Sequence, residues 1–122
     1  MLWRRLLYHG GEMSHYYEAD DLERFDEIGK NRPDLYDIFM NYYQGVMSAG
    51  ALTTREKALI ALAVAHAVQC PYCIDAYTRG SLEAGSKMEE MTEAIHVAAA
   101  IRGGATLIHG IQAHNAAAKI TL

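Results

Sequence analysis

The chain has 122 residues, about half of them hydrophobic and about a fifth charged, with a formal net charge of −4. That is one domain's worth of sequence with enough apolar material for a core, and its acidic balance disfavours nucleic acid, which wants a basic face. The longest apolar run, Ala58–Ala65, stops at His66 and falls well short of the roughly 18–20 residues of a membrane span, so no membrane partner is expected.

Residues 1–12, MLWRRLLYHGGE, differ from the rest of the chain: two arginines stand among large apolar residues, and two glycines come after them. They read as a mobile extension, or as an upstream start before Met13, with residues 13–122 forming a single helical domain. The segment lacks the long apolar stretch and small-residue cleavage site of a secretory signal, so a cytoplasmic location is expected. In that compartment two nearby cysteines point to redox, catalytic or metal chemistry rather than to a structural staple.

Leu22, Phe25 and Ile28 predict a short amphipathic helix that ends near Gly29. Pro33 suits the first position of a second helix, whose apolar stripe runs through Leu35, Phe39, Tyr42, Tyr43 and Val46 and stops at SAGA. TTRE, from Thr53 to Glu56, is a capping box that opens a third helix. This helix, ALIALAVAHAV, is apolar on every side except at His66, a pattern that predicts burial all round. Pro71 breaks the chain, so one helix is expected to end near Gln69 and another to begin at Cys70 or Pro71. Gly85 suits the end of that fourth helix, and SKME at Ser86–Glu89 reads as a second capping box. The next helix runs into Gly103 and Gly104, and a last one carries Leu107, Ile108, Ile111 and Ala118. No segment reads as a hairpin or a βαβ unit. The expected fold is an all-α bundle of about six helices, whose surplus of apolar faces calls for a large interface between identical subunits.

The two cysteines, Cys70 and Cys73, stand at the predicted start of the fourth helix. A thiol there faces the positive end of the helix macrodipole, which favours thiolate. The pair spacing also permits a disulfide, so an attacking and a resolving thiol are both available. His66, one turn before Cys70, can take a thiol proton and return it to a leaving group; equally, it can simply donate to a neighbouring carbonyl. Of the tyrosines near the pair, Tyr72, Tyr77, Tyr42 and Tyr43, the one singled out is Tyr77, a turn after Cys73, as a hydrogen-bond donor to a thiolate. Asp75 is expected to face solvent. A pocket lined by Tyr and Ala side chains is expected beside the thiols. Other readings stay open. Two buried free thiols would serve packing alone. Zinc wants four ligands, and with no second cysteine pair it would need His66 and a group from elsewhere. His96 is a secondary candidate for the site. His109 and His114 are expected at the surface or an interface, and His9 and His15 in solvent.

The stretches LTTREKALIALAVAHAVQCPYCIDAYTRGSLEAG and EAIHVAAAIRGG resemble the carboxymuconolactone decarboxylase superfamily, in particular its alkylhydroperoxidase D-like (AhpD-like) branch, over roughly residues 35–118. The finer pattern, with YYEADDLERF and HVAAAIRGGA, is similar to arsenosugar biosynthesis-associated peroxidase-like proteins. The resemblance implies an AhpD-like helical fold assembled as trimers or hexamers, with no cofactor. It implies a peroxidase dithiol: a thiolate attacks a small hydroperoxide, a Cys70–Cys73 disulfide forms, and an external thiol protein or small thiol reduces it. In that family the second cysteine meets the peroxide, which assigns attack to Cys73; the helix-cap argument favours Cys70. The family's glutamate and histidine fall at Ala58 and Tyr77, so its usual proton relay is absent. Either His66 and Tyr77 replace it, or the dithiol serves another purpose. Two such purposes are binding trivalent arsenic in arsenosugar metabolism and an accessory role with inert cysteines.

Overall fold

The computed structural model describes residues 16–120 and 122. The expected extension, residues 1–12, and the histidines His9 and His15 lie outside them. Five helices make up the described residues, with no strand among them. The first, α1 (Asp21–Gly29), is a 3₁₀ helix. Its last residue is buried against the ring of Tyr36, where an added Cβ would stand 2.7 Å from Cγ, so only glycine allows this approach.

Proline opens α2 (Pro33–Met47) at its first position, where its missing amide costs nothing. The carbonyls at its far end are taken by the ammonium of Lys57, which donates to Val46 at 2.6 Å and to Ser48 at 2.5 Å. The predicted capping box opens α3 (Thr54–Ala67): the Glu56 amide donates to Thr53 Oγ1 at 3.1 Å, and the Thr53 amide to Glu56 Oε1 at 3.0 Å. The expected break follows, and α4 (Pro71–Glu83) begins on Pro71 with Cys70 as its cap.

The last two expected helices are one. Gly103 and Gly104 continue a single α5 (Met88–Lys119) rather than dividing it. Glycine costs a helix about 1 kcal/mol, too little to stop one that has no proline. Undivided, α5 is long and apolar enough by length and composition to cross a membrane. The expected capping box at Ser86 is displaced too. Lys87 is the cap, its amide donating to Glu90 Oε1 at 2.9 Å, while the Ser86 hydroxyl is buried. The chain reaches its helical path one residue later because Gly85 and Ser86 are spent in closing α4.

At the centre lies α3, packed along both α4 and α5. Arg55 on α3 pairs with Glu90 on α5, and Arg102 on α5 reaches the Ala67 carbonyl at the end of α3. These contacts are twelve residues apart on both helices, so α3 and the first half of α5 run side by side in the same direction. The core between them holds Ala58, Leu62 and Ala65 of α3 with Met91 and Ala98 of α5. Only this face of α3 is buried. Within one chain Ile60, Val64 and Val68 stay at least half exposed, so the chain alone does not bury α3 all round. Beyond Arg102, α5 overhangs the bundle with Leu107 79%, Ile108 67% and Ile111 52% exposed.

A dithiol at a junction of two helices

The break between α3 and α4 is a Schellman turn. The Gln69 amide donates to the His66 carbonyl at 3.2 Å, and the Cys70 amide to the Ala65 carbonyl at 3.0 Å. Closing it puts Gln69 at φ +56°, the left-handed region usually left to glycine. Cys70 therefore ends one helix and starts the next. Its sulfur accepts the Cys73 amide at 3.3 Å, and its carbonyl accepts the Ile74 amide at 2.9 Å. Both cysteines are free and half-buried, which sets aside the reading of two sealed core thiols.

The two sulfurs are not equivalent. Burial, then the hydrogen bond to Cys70 and its charge, push the Cys73 thiol up to about 11. Cys73 is thus the proton-holding member, presenting its backbone amide and its thiol to the Cys70 sulfur. The raised Cys73 thiol, and the place of the Cys70 sulfur on the Cys73 amide, agree with the helix-cap argument for Cys70.

His66 lies in the last turn of α3, where its Nδ1 bonds the Leu62 carbonyl at 2.8 Å. A ring held this way is protonated on Nδ1 when neutral and keeps its lone pair on Nε2. Neither His66 nor Tyr77 hydrogen-bonds to a sulfur among the described residues, and Tyr77 sits half-buried beside Gly80. A tyrosine of α2, Tyr43, feels the charge of Cys73. Its phenol is raised by burial and by Cys73. Tyr72 faces away toward the N-terminal segment. Its hydroxyl donates to Asp21 Oδ2 at 2.8 Å, and its ring meets Tyr17 edge-on at 5.1 Å. The bond to Asp21 pushes the Tyr72 phenol up to about 12, while Asp21, which also accepts the Glu18 amide, is held below its usual range.

A shallow pocket of about 140 Å³ opens at this clasp, between Tyr17, Glu18 and Leu22 on one side and Pro71, Tyr72 and Asp75 on the other. It has the expected tyrosines, but neither cysteine lines it. Asp75 is exposed as expected. Ala58, at the position of the relay glutamate, is buried in the core, and Glu56 is engaged by the cap of α3, so no carboxylate of α3 substitutes for it. His96, His109 and His114 are exposed along α5. No three His, Cys, Asp or Glu side chains converge among the described residues. Two features of the junction were not anticipated: the left-handed backbone of Gln69, expected only to end a helix, and Arg102. A non-glycine residue just after a helix and just before Cys-Pro was the available signal for the first. For the second it was a lone cation in the apolar run of α5.

Comparison with known proteins places this junction in a wider set. A sequence model described as "Carboxymuconolactone decarboxylase family" matches residues 33–116, which take in α2 to α5 and both cysteines. The uncharacterized protein 4 in the cox locus of Paracoccus denitrificans is 44% identical over 87 residues, 71% of this chain and 78% of that protein. A crystal structure from Methanobacterium thermoautotrophicum superposes with a TM-score of 0.65 at 37% identity, over 68% of this chain and 93% of that one. An apo carboxymuconolactone decarboxylase family protein from Legionella pneumophila gives 0.63 at 31% identity, over 77% and 84%.

Proposed function

Because the chain belongs to the carboxymuconolactone decarboxylase family, we propose that its accessible thiol pair makes it a thiol-dependent peroxidase, a dithiol oxidoreductase that reduces small hydroperoxides. One observation carries this reading: the Cys70 sulfur caps α4 and sits on the amide of Cys73, its partner one turn on. A sulfur there gains from the helix field as an anion, and its resolving thiol is already beside it.

In the cycle, the Cys70 thiolate attacks the distal oxygen of ROOH. The O–O bond breaks, an S–O bond forms, and the alkoxide leaves with a proton as ROH. The Cys73 thiol then attacks the sulfenic sulfur, hydroxide departs and takes the Cys73 proton as water, and the Cys70–Cys73 disulfide is formed. Two thiols of an external reductant, protein or small molecule, return two electrons and two protons and end as a disulfide. The proton that Cys70 gives up and the alkoxide takes is assigned to His66, whose Nε2 is left free by the bond of Nδ1 to the Leu62 carbonyl, and Tyr43 is the phenol that feels the charge of Cys73. The cycle runs in the cytoplasm and calls for no cofactor.

The working form is a homo-oligomer, a trimer or hexamer, in which a second copy covers the outer face of α3 and the overhang of α5. A second copy suits the overhang better than a bilayer does, since His109, Gln112, His114 and Asn115 fall within it.

Mixing the reduced protein with a hydroperoxide in a stopped-flow instrument tests the chemistry. Both thiols should be consumed and one intramolecular disulfide formed, and Cys73→Ser should accumulate a sulfenic acid on Cys70. Turnover by Cys70→Ser at the parent rate would end the assignment. Tight arsenite binding without peroxide turnover would replace the peroxidase by a receptor for a thiophilic ligand. Light scattering from a monomer at micromolar concentration would remove the oligomer.

A further inference from the structure

Cys70 feels two helices at once. It follows the C-terminus of α3, a negative pole that opposes a thiolate, and it caps the N-terminus of α4, a positive pole that favours one. Which pole prevails depends on how the last carbonyls of α3 are satisfied. Those of Ala65 and His66 are closed inside the turn by the amides of Cys70 and Gln69. The Ala67 carbonyl has no such partner, because the residue four places on is Pro71, which has no amide hydrogen. Its donor comes from across the bundle: the guanidinium of Arg102, on α5.

Resting on the dithiol reading, we propose that Arg102 is a positioning residue for Cys70. By binding the Ala67 carbonyl it sets a positive charge on the end of α3, offsets that helix's negative pole, and leaves the sulfur under the field of α4. Arg102 touches neither sulfur in the hydrogen bonds of the described residues, so it acts through the turn. This also explains why an arginine interrupts an otherwise apolar stretch of α5.

The test uses the full chain with Cys73→Ser, so that Cys70 alone reports, and follows its alkylation by the neutral reagent iodoacetamide near neutral pH. Arg102→Met removes charge and donor; alkylation should slow by about two- to fivefold, the range expected for one charge at a helix terminus. Arg102→Gln keeps a donor without the charge and should slow similarly. Arg102→Lys restores the charge and should react close to the parent rate. A merely structural strut would give a different pattern: losing it opens the turn, lowers the melting temperature and leaves Cys70 reacting equally fast or faster. That result overturns the proposal, as does equal reactivity of the Gln and Lys variants. If Arg102→Met does not fold, the Gln and Lys pair makes the same comparison. Should the parent form no Cys70–Cys73 disulfide and its Cys70 resist alkylation, the dithiol reading itself falls and takes this inference with it. A reactive parent with indifferent Arg102 variants removes this inference alone.

Discussion

The turns that enter and leave α4 close with the same pair of backbone hydrogen bonds and are otherwise unlike. At the exit, the amides of Gly85 and Ser86 donate to the carbonyls of Leu82 and Ser81, and Gly85 takes a φ of +91° with open space about it. At the entrance, Gln69 takes a φ of +56°, where a side chain costs about 1 kcal/mol or more. The exit is the economical form of a Schellman turn. The entrance accepts strain, and it is surrounded by fixtures the exit lacks: Pro71, a sulfur cap and the guanidinium of Arg102. Strain persists only where neighbours over-determine it. The difference indicates that the entrance is built to hold one residue, Cys70, in one place.

The most damaging way to test this contrast is to remove what both turns hang from. Leu62 is fully buried on α3, and its carbonyl holds the His66 ring. Leu62→Ala should cost about 3 kcal/mol in urea unfolding. A loss under about 1 kcal/mol would mean that the core does not centre on α3. A smaller blow falls on the exit alone. Gly85→Val forces a β-branched residue into a left-handed backbone and should cost about 2 kcal/mol, while the rate of Cys70 alkylation stays at the parent value. If that rate changed as well, the two turns would not be independent.

Much of this was legible in the sequence because it rests on local rules. Pro33, the Thr53–Glu56 box and Pro71 each act on their own turn, and each element they predict is present. What was not legible depends on the third dimension or on small energies. The glycines at 103 and 104 read as a break, but two glycines cannot end a helix that its first half anchors to α3. Ser86 looks like a cap by residue type, yet the exit turn uses its amide first. Tyr77 lies near Cys73 along the helix and was singled out for that, whereas Tyr43, named only among the tyrosines around the pair, arrives from α2. Arg102 is the clearest case: its partner is 35 residues away in sequence.

Alkali should separate the turns more gently. The Cys73 thiol lies higher in the folded chain, at about 11, than its ordinary 9.0. The folded state therefore holds that proton more tightly than the unfolded state does, and the stability this gives is complete below about pH 9. It is lost as pH rises toward 11. Tyr72 and Tyr43 are raised too and act in the same sense at still higher pH. A Cys73→Ala chain keeps the tyrosines and lacks the thiol. The difference in urea midpoint between parent and variant should shrink between pH 9 and 11. A constant difference would mean that the thiol proton is not held at the junction.

The finest test turns the entrance into a copy of the exit. Gln69→Gly relieves a left-handed side chain, a gain of about 1 kcal/mol, and gives part of it back through the greater freedom of glycine in the unfolded chain, about 0.5–1 kcal/mol. The Gln69 side chain is exposed, so little else is lost. Net stability should rise by less than about 1 kcal/mol, opposite in sign to Gly85→Val. The sulfur should suffer nonetheless. A glycine visits several backbone states at little cost, and each alternative moves Cys70 off the Cys73 amide. Closure of the Cys70–Cys73 disulfide by oxidised glutathione should therefore slow even as the protein becomes harder to unfold. Opposite movement of these two quantities is what a turn strained for position predicts, whereas a turn strained by accident would gain stability and lose no speed.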